Sequence, residues 1–276
     1  MKISSKVYGQ TICKVSRGVP NVMGLYIYLT FSLKSLKFNL IMAYPPIEEL
    51  GKMIDYAVLR PDASEEMIIK ACEEAKKWHF AALCVNPCWL PIAKEKLQGS
   101  DVKLCTVVGF PLGTSTKSVK IAEAKNAISL GADELDIVSN IGLFKSGKDT
   151  EFLNEIISLV ETSKMHSRTI KRGNIITKII VECGYLSKEE IKQVATLLLN
   201  SGVDFIKTST GFGPRGSSLE DVRTIRSVVG GTLRIKAAGG IRTLNDMISF
   251  LRAGADRIGT SSAVQIMEEY RRMVGS

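Results

Sequence analysis

Histidine is almost missing: the 276 residues contain His79 and His166 and no others. The six cysteines (Cys13, Cys72, Cys84, Cys88, Cys105 and Cys183) include no Cys-x-x-Cys pair. Together these give little from which to build a zinc site, so neither a metal nor an organic cofactor is expected. Free thiols in a reducing compartment, the cytoplasm, are the expected state. A long apolar run is also lacking. Val22–Leu33 spans 12 residues, short of the ~20 that cross a bilayer, so no membrane partner is expected. Acidic residues are absent from positions 1–41, which hold Lys2, Lys6, Lys14, Arg17, Lys34 and Lys37. Outside that stretch 31 basic residues face 28 acidic ones. A formal charge of +9 is therefore mostly the charge of the amino-terminal segment, and the rest shows no basic face for nucleic acid.

Residues 1–41 read as a basic extension of open origin. A basic start and an apolar run without a small-residue cleavage site make a poor signal peptide. An organellar transit composition and a true start at Met42 are alternatives. The expectation is an extension dispensable for function, followed by a single domain over 42–276.

From Pro45 onward short apolar runs alternate with helical stretches. A short helix over Pro46–Met53 precedes a first strand, Ile54–Leu59. Further strands are predicted over Ala81–Val85, Val102–Val108, Glu134–Val138, Ile175–Val181, Val203–Lys207, Leu233–Lys236 and Asp256–Ile258. Helices follow each, among them one capped by Asp62 or Ser64 and one over Asp149–Ser163. Eight such units in about 230 residues match a (β/α)8 TIM barrel, with an open doubly wound sheet as the alternative. Glycine precedes three strands in the triplets Gly131-Ala132-Asp133, Gly202-Val203-Asp204 and Gly254-Ala255-Asp256, where helices end and C-caps are needed.

Two successive strands end in lysine followed by a glycine-rich turn: Lys207 with Thr208-Ser209-Thr210-Gly211, and Lys236 with Ala237-Ala238-Gly239-Gly240. One strand-end lysine snorkels to water without further meaning. Two on adjacent parallel strands, roughly 4.8 Å apart, repel each other, so one is expected to have a depressed pKa and serve as a neutral amine for Schiff-base chemistry. Residues near the carboxyl ends of barrel strands face the mouth, which adds Asp55, Cys84, Asp136, Lys178 and Glu182. Asp136 and Lys178 point inward by period-two alternation; a structural ion pair filling the barrel is the rival reading. Gly239-Gly240 and Gly259-Thr260-Ser261-Ser262, at the start of the last helix, suit a phosphate. Gly211-Phe212-Gly213-Pro214-Arg215-Gly216 spells G-x-G-x-x-G, but the next strand ends in Lys236 where a dinucleotide site needs an acid, and that reading is rejected.

The stretches Leu83-Cys-Val-Asn-Pro87, Val107-Val-Gly-Phe-Pro-Leu-Gly113, Gly131-Ala-Asp-Glu-Leu-Asp136, Phe205-Ile-Lys-Thr-Ser-Thr-Gly-Phe-Gly213, Lys236-Ala-Ala-Gly-Gly-Ile-Arg242 and Arg257-Ile-Gly-Thr-Ser-Ser262 resemble the deoxyribose-phosphate aldolases, class I Schiff-base enzymes on a TIM barrel. The likeness covers about residues 45–270. It implies Lys207 as the Schiff-base lysine and Lys236 with Asp136 as proton-handling groups, with Lys178 in support. It implies phosphate binding by Gly239, Gly240, Ser261 and Ser262, with no cofactor; Asp55 and Cys84, from their strand-end positions, and Thr210 and Gly211, from their turn, are expected to bind substrate as well. The implied reaction is reversible cleavage of 2-deoxy-D-ribose 5-phosphate to glyceraldehyde 3-phosphate and acetaldehyde, and a homodimer is the expected assembly. Some members carry a carboxyl-terminal tail whose tyrosine assists proton transfer; here Tyr270 falls in the last predicted helix. Two rivals are a sugar-phosphate-binding barrel without chemistry and a Schiff-base lyase with another aldehyde specificity.

Overall fold

The computed structural model describes residues 2–7, 10–14, 26–29, 40–43 and 46–275. The first four pieces form two antiparallel pairs, Lys2–Val7 with Gln10–Lys14 and Tyr26–Leu29 with Leu40–Ala43. The remainder of the predicted extension lies outside the described residues.

The barrel begins after helix α1 (Ile47–Gly51) with strand β1, Ile54–Val58. Ser64 caps α2 (Glu65–Lys77) by accepting from the Met67 amide, while Asp62, the other predicted cap, pairs with Arg60. The chain continues through β2 (Ala82–Val85), α3 (Leu90–Lys96), β3 (Lys103–Val108), α4 (Lys117–Ser129) and β4 (Glu134–Val138). Next come α5 (Ile141–Lys145), α6 (Asp149–Thr169), β5 (Ile176–Ile180), α7 (Lys188–Leu198) and β6 (Phe205–Lys207). The chain ends with α8 (Leu219–Val229), β7 (Arg234–Ala238), α9 (Leu244–Ala253), β8 (Arg257–Thr260) and α10 (Ala263–Val274). Each strand pairs in parallel with the next, and β8 returns to β1 through Ile258 opposite Ile54, so the eight strands close into the predicted barrel. Four elements differ from expectation: α5 is an additional short helix, α6 runs beyond Ser163 to Thr169, β7 does not end on Lys236 but continues to Ala238, and β8 continues past Ile258 to Thr260.

The side of the sheet facing the helices carries the main apolar core, with Ile54, Leu83, Leu104, Leu135, Ile179, Ile206, Ile235 and Ile258 all buried. Inside the barrel the residues divide unequally. Ala82, Cys84, Cys105 and Val107 form a small apolar cluster on the β2–β3 side, while the opposite interior holds charged residues.

The three Gly-x-Asp triplets have one geometry at the base of the barrel. Each glycine has positive φ (116°, 74° and 113°), where a Cβ would be strained. Each aspartate then brackets the first residues of the preceding strand. Asp133 donates its amide to the Leu104 carbonyl and accepts from the Leu104 amide. Asp204 does the same with Thr177, whose hydroxyl also donates to it. Asp256 does so with Ile235. His79-Phe80-Ala81 before β2 repeats the backbone part: His79 has φ 52°, the Phe80 amide reaches back to Ala75, and the Ala81 amide donates to Ile54. Alanine supplies no carboxylate there.

Candidate active site

Asp136 is the third residue of β4, and strand alternation turns its side chain inward, opposite Lys178 of β5 in the register. Lys207 and Lys236 end β6 and occupy the middle of β7, also as register partners. The three ammonium groups meet on one carboxylate. Lys178 Nζ donates to Asp136 Oδ1 at 2.7 Å, Lys207 Nζ to Oδ2 at 2.8 Å, and Lys236 Nζ to Oδ2 at 2.7 Å. Beneath them Asp55 contacts Lys236 at 2.5 Å and Arg257 at 2.5 Å, and Glu134 contacts Lys178 at 2.6 Å. The Lys236–Asp55 and Lys178–Glu134 contacts are close but off the line of a hydrogen bond, so they are ion pairs without directed bonding.

Burial alone would raise the Asp136 carboxyl, but Lys178, Lys207 and Lys236 hold it well below the carboxylate range. For Asp55 the burial penalty is likewise outweighed, by Arg257, Lys236 and Lys178, and its pKa is lowered. Burial should lower Lys178 and Lys236; the facing carboxylates of Asp136 and its neighbours reverse that, and both ammonium groups are raised. For Lys236 this is the reverse of the depression that repulsion from Lys207 alone would give. A carboxylate lies between them, so at Lys236 attraction wins over repulsion and desolvation.

A cavity of about 480 Å³ opens at the carboxyl ends of the strands. Lys207, Lys236, Thr210, Gly211, Gly239, Gly240 and Ser261 all line it, with Phe212 on one wall and Arg60 and Arg242 also lining it. Gly239 and Gly240 have φ 92° and 82°. Gly216 packs on this turn so closely that a Cβ on it would lie 2.5 Å from the Gly239 carbonyl oxygen. The other predicted residues sit elsewhere. Asp55 and Cys84 are fully buried and are not among the residues lining the cavity; Asp55 instead pairs with Lys236 and Arg257, and Cys84 packs against Cys105. Ser262 also misses the lining; its amide donates to Thr260 Oγ1 and it starts α10. Lys178 touches Asp136 but not the cavity. Tyr270 is buried in α10.

Cys84, Cys105 and Asp136 bring ligand atoms within 4.8 Å of one another. Both Asp136 oxygens are engaged by ammonium groups and Lys178 also contacts Cys105 Sγ at 3.4 Å, a positive surround unsuited to a cation. The Cys84 thiol is lowered by its hydrogen bond with Cys105, and burial pushes Cys105 well up. Sequence reasoning passed over Arg257 and Glu134 as members of this cluster. Glu134 carried a signal, since it shares the inward face with Asp136; Arg257 sits two residues before Gly259 on the same face of β8.

The sequence profile of a family described as DeoC/LacD family aldolase matches residues 52–267. Deoxyribose-phosphate aldolase from Caldanaerobacter subterraneus subsp. tengcongensis is 46% identical over 223 residues, covering 81% of this chain and 94% of that one. A solved structure described as QR15, an aldolase, aligns with TM-score 0.76 at 42% identity, covering 83% of this chain and 99% of its own. Deoxyribose phosphate aldolase from Aeropyrum pernix, described as a unique tetramer, aligns with TM-score 0.74 at 30% identity over 82% of this chain and 92% of that one.

Proposed function

The chain belongs to the DeoC/LacD family of aldolases, and from that premise we propose that it cleaves 2-deoxy-D-ribose 5-phosphate reversibly to D-glyceraldehyde 3-phosphate and acetaldehyde. The observation that carries the mechanism is the single carboxylate of Asp136 shared by three lysines, two of which line the cavity.

Lys178, Lys207, Lys236 and Arg257 are four bases set against three carboxylates, those of Asp55, Glu134 and Asp136. A buried cluster with one surplus positive charge is relieved when one base is neutral. Lys207 has a single carboxylate contact, shared with Lys236, and lines the cavity, so it is the amine best placed to meet a substrate carbonyl. Its neutral amine adds to the substrate C1 aldehyde and, with loss of water, gives an iminium ion. The C2–C3 bond then breaks with its electrons drawn toward the iminium nitrogen, the C3 hydroxyl loses its proton, and glyceraldehyde 3-phosphate leaves. Protonation of the enamine at C2 and hydrolysis release acetaldehyde. Lys236 and Asp136 carry protons in these steps, and Lys178 keeps Asp136 ionised. The Gly239-Gly240 turn and Ser261 supply donors to the phosphate.

Incubation with the sugar phosphate and borohydride, followed by peptide mapping, tests the assignment. A reduced adduct on Lys207 is expected, and Lys207→Leu should lose adduct and turnover together. Label on Lys236, or full activity in Lys207→Leu, would refute it. Among the described residues no helix is long and apolar enough to cross a membrane; a cytoplasmic location is part of the proposal. Assembly as a homodimer is part of the same proposal, and sedimentation equilibrium decides it.

A further inference from the structure

Glu182 follows β5 and takes φ 48° and ψ 67°, a left-handed conformation uncommon outside glycine. Its side chain is buried, and no ion pair to it is found among the described residues. One oxygen, Oε2, accepts from the Thr210 amide at 3.0 Å and from the Thr210 hydroxyl in a shorter bond. The other oxygen has no hydrogen-bond partner among the described groups. The loop closes over this carboxylate at Gly213, where an added Cβ would lie 2.7 Å from Glu182 Cδ. Thr210 Oγ1 in turn accepts from the Phe212 amide at 3.0 Å, and the Phe212 ring meets Phe110 edge to face at 5.3 Å. One carboxylate therefore sets the course of the loop that follows Lys207.

The pattern has a chemical consequence. A carboxylate offers acceptors and no donor, and a threonine hydroxyl owns one hydrogen and two lone pairs. Thr210 commits its hydrogen to Glu182 and one lone pair to Phe212, which leaves one lone pair. We propose that Glu182 is a positioning residue that fixes the polarity of Thr210, so that Thr210 meets substrate as an acceptor only. The group it selects is a hydroxyl on the substrate: the one retained beside the carbonyl of glyceraldehyde 3-phosphate. A ketone or carboxylate oxygen at that place finds no donor. This inference rests on the aldolase reading above and deepens it.

The test is the condensation direction, with acetaldehyde and either glyceraldehyde 3-phosphate or its analogue lacking that hydroxyl, 3-oxopropyl phosphate. The ratio of kcat/KM values reads the contact directly. The unmutated enzyme should favour the hydroxylated aldehyde by about tenfold or more, the order of one hydrogen bond with an unpaired partner left behind. In Thr210→Val the ratio should fall toward one. Glu182→Ala should lower it similarly, since the hydroxyl is then free to rotate. Glu182→Gln should recover most of the preference lost in Glu182→Ala, because an amide oxygen can accept both bonds; general loosening of the fold would not be rescued in this way. Should Glu182→Ala fail to fold, Thr210→Val and Glu182→Gln decide the matter. The inference is overturned by a wild-type ratio near one, an unchanged ratio in Thr210→Val, or a ratio in Glu182→Gln as low as that of Thr210→Val. Borohydride trapping on each variant separates the two readings: no adduct on Lys207 in the unmutated enzyme sinks the aldolase reading, whereas adduct with an unchanged ratio sinks only the role of Glu182.

Discussion

Asp136 and Lys236 sit on opposite sides of the same charge balance, which makes their substitutions opposite in sign. Lys236→Leu leaves three bases against three carboxylates, so the surplus charge that favours a neutral amine is gone. Borohydride-trappable adduct should form less readily at neutral pH than in the unmutated protein, and turnover there should fall steeply. Asp136→Asn leaves four bases against two carboxylates, so adduct should form at lower pH than in the unmutated protein. Its proton-transfer steps should nevertheless be slow, because the amide cannot exchange a proton as a carboxylate does. A pH profile of trapping in the two variants checks both; shifts in the same direction would disprove the charge-balance account while leaving the aldolase assignment standing. Asp136→Asn should also destabilise the fold by about 3–5 kcal/mol, since it strips a counter-charge from buried ammonium groups.

At the scale of elements, the strand-helix alternation was legible because strand and helix have different periods, and every barrel strand falls where apolar runs lie between turn residues. α5 was not, since five residues are too few to show a helical period. Depth along a strand was also hidden. Alternation says that Asp55, Cys84 and Asp136 point inward, but not that Asp55 and Cys84 are left out of the cavity lining while Lys207 belongs to it. The Gly-x-Asp rhythm was visible as spacing, and its purpose appeared only when each carboxylate was seen bonding the neighbouring strand. Asp204→Ala should leave the buried Thr177 amide and hydroxyl without an acceptor. A loss of about 2–3 kcal/mol follows from such orphaned donors, or roughly 5–10 °C in Tm for a chain of this size. Asp204→Asn, which keeps an acceptor oxygen, should recover much of it in a calorimetric scan, with Lys207 trapping unaffected in both.

For the whole molecule, the matched family region begins at residue 52 and the barrel's first strand at Ile54, so a protein starting at Met42 should retain its Tm and kcat. A large drop in either would show that residues 1–41 contribute to the fold. The ion cluster also sets a pH range for stability. Asp55 and Asp136 have lowered pKa values, so their contribution is present above the unfolded carboxylate value near 4 and fades as pH falls below it. Lys178 and Lys236 have raised ones, so theirs is complete below the unfolded lysine value near 10.5 and fades only as pH rises beyond it. The base of the barrel, by contrast, is nearly periodic. The glycine-and-aspartate bracket before β4, β6 and β8, with its backbone-only counterpart before β2, recurs at every second strand, so a quarter turn about the barrel axis carries one bracket onto the next. The mouth has no such rotational symmetry: Asp136, Lys207 and Lys236 occur once each. One end of the molecule therefore repeats a single joint three times and its backbone alone a fourth, while the other end, with one copy of each reacting group, gives a substrate a single direction of approach.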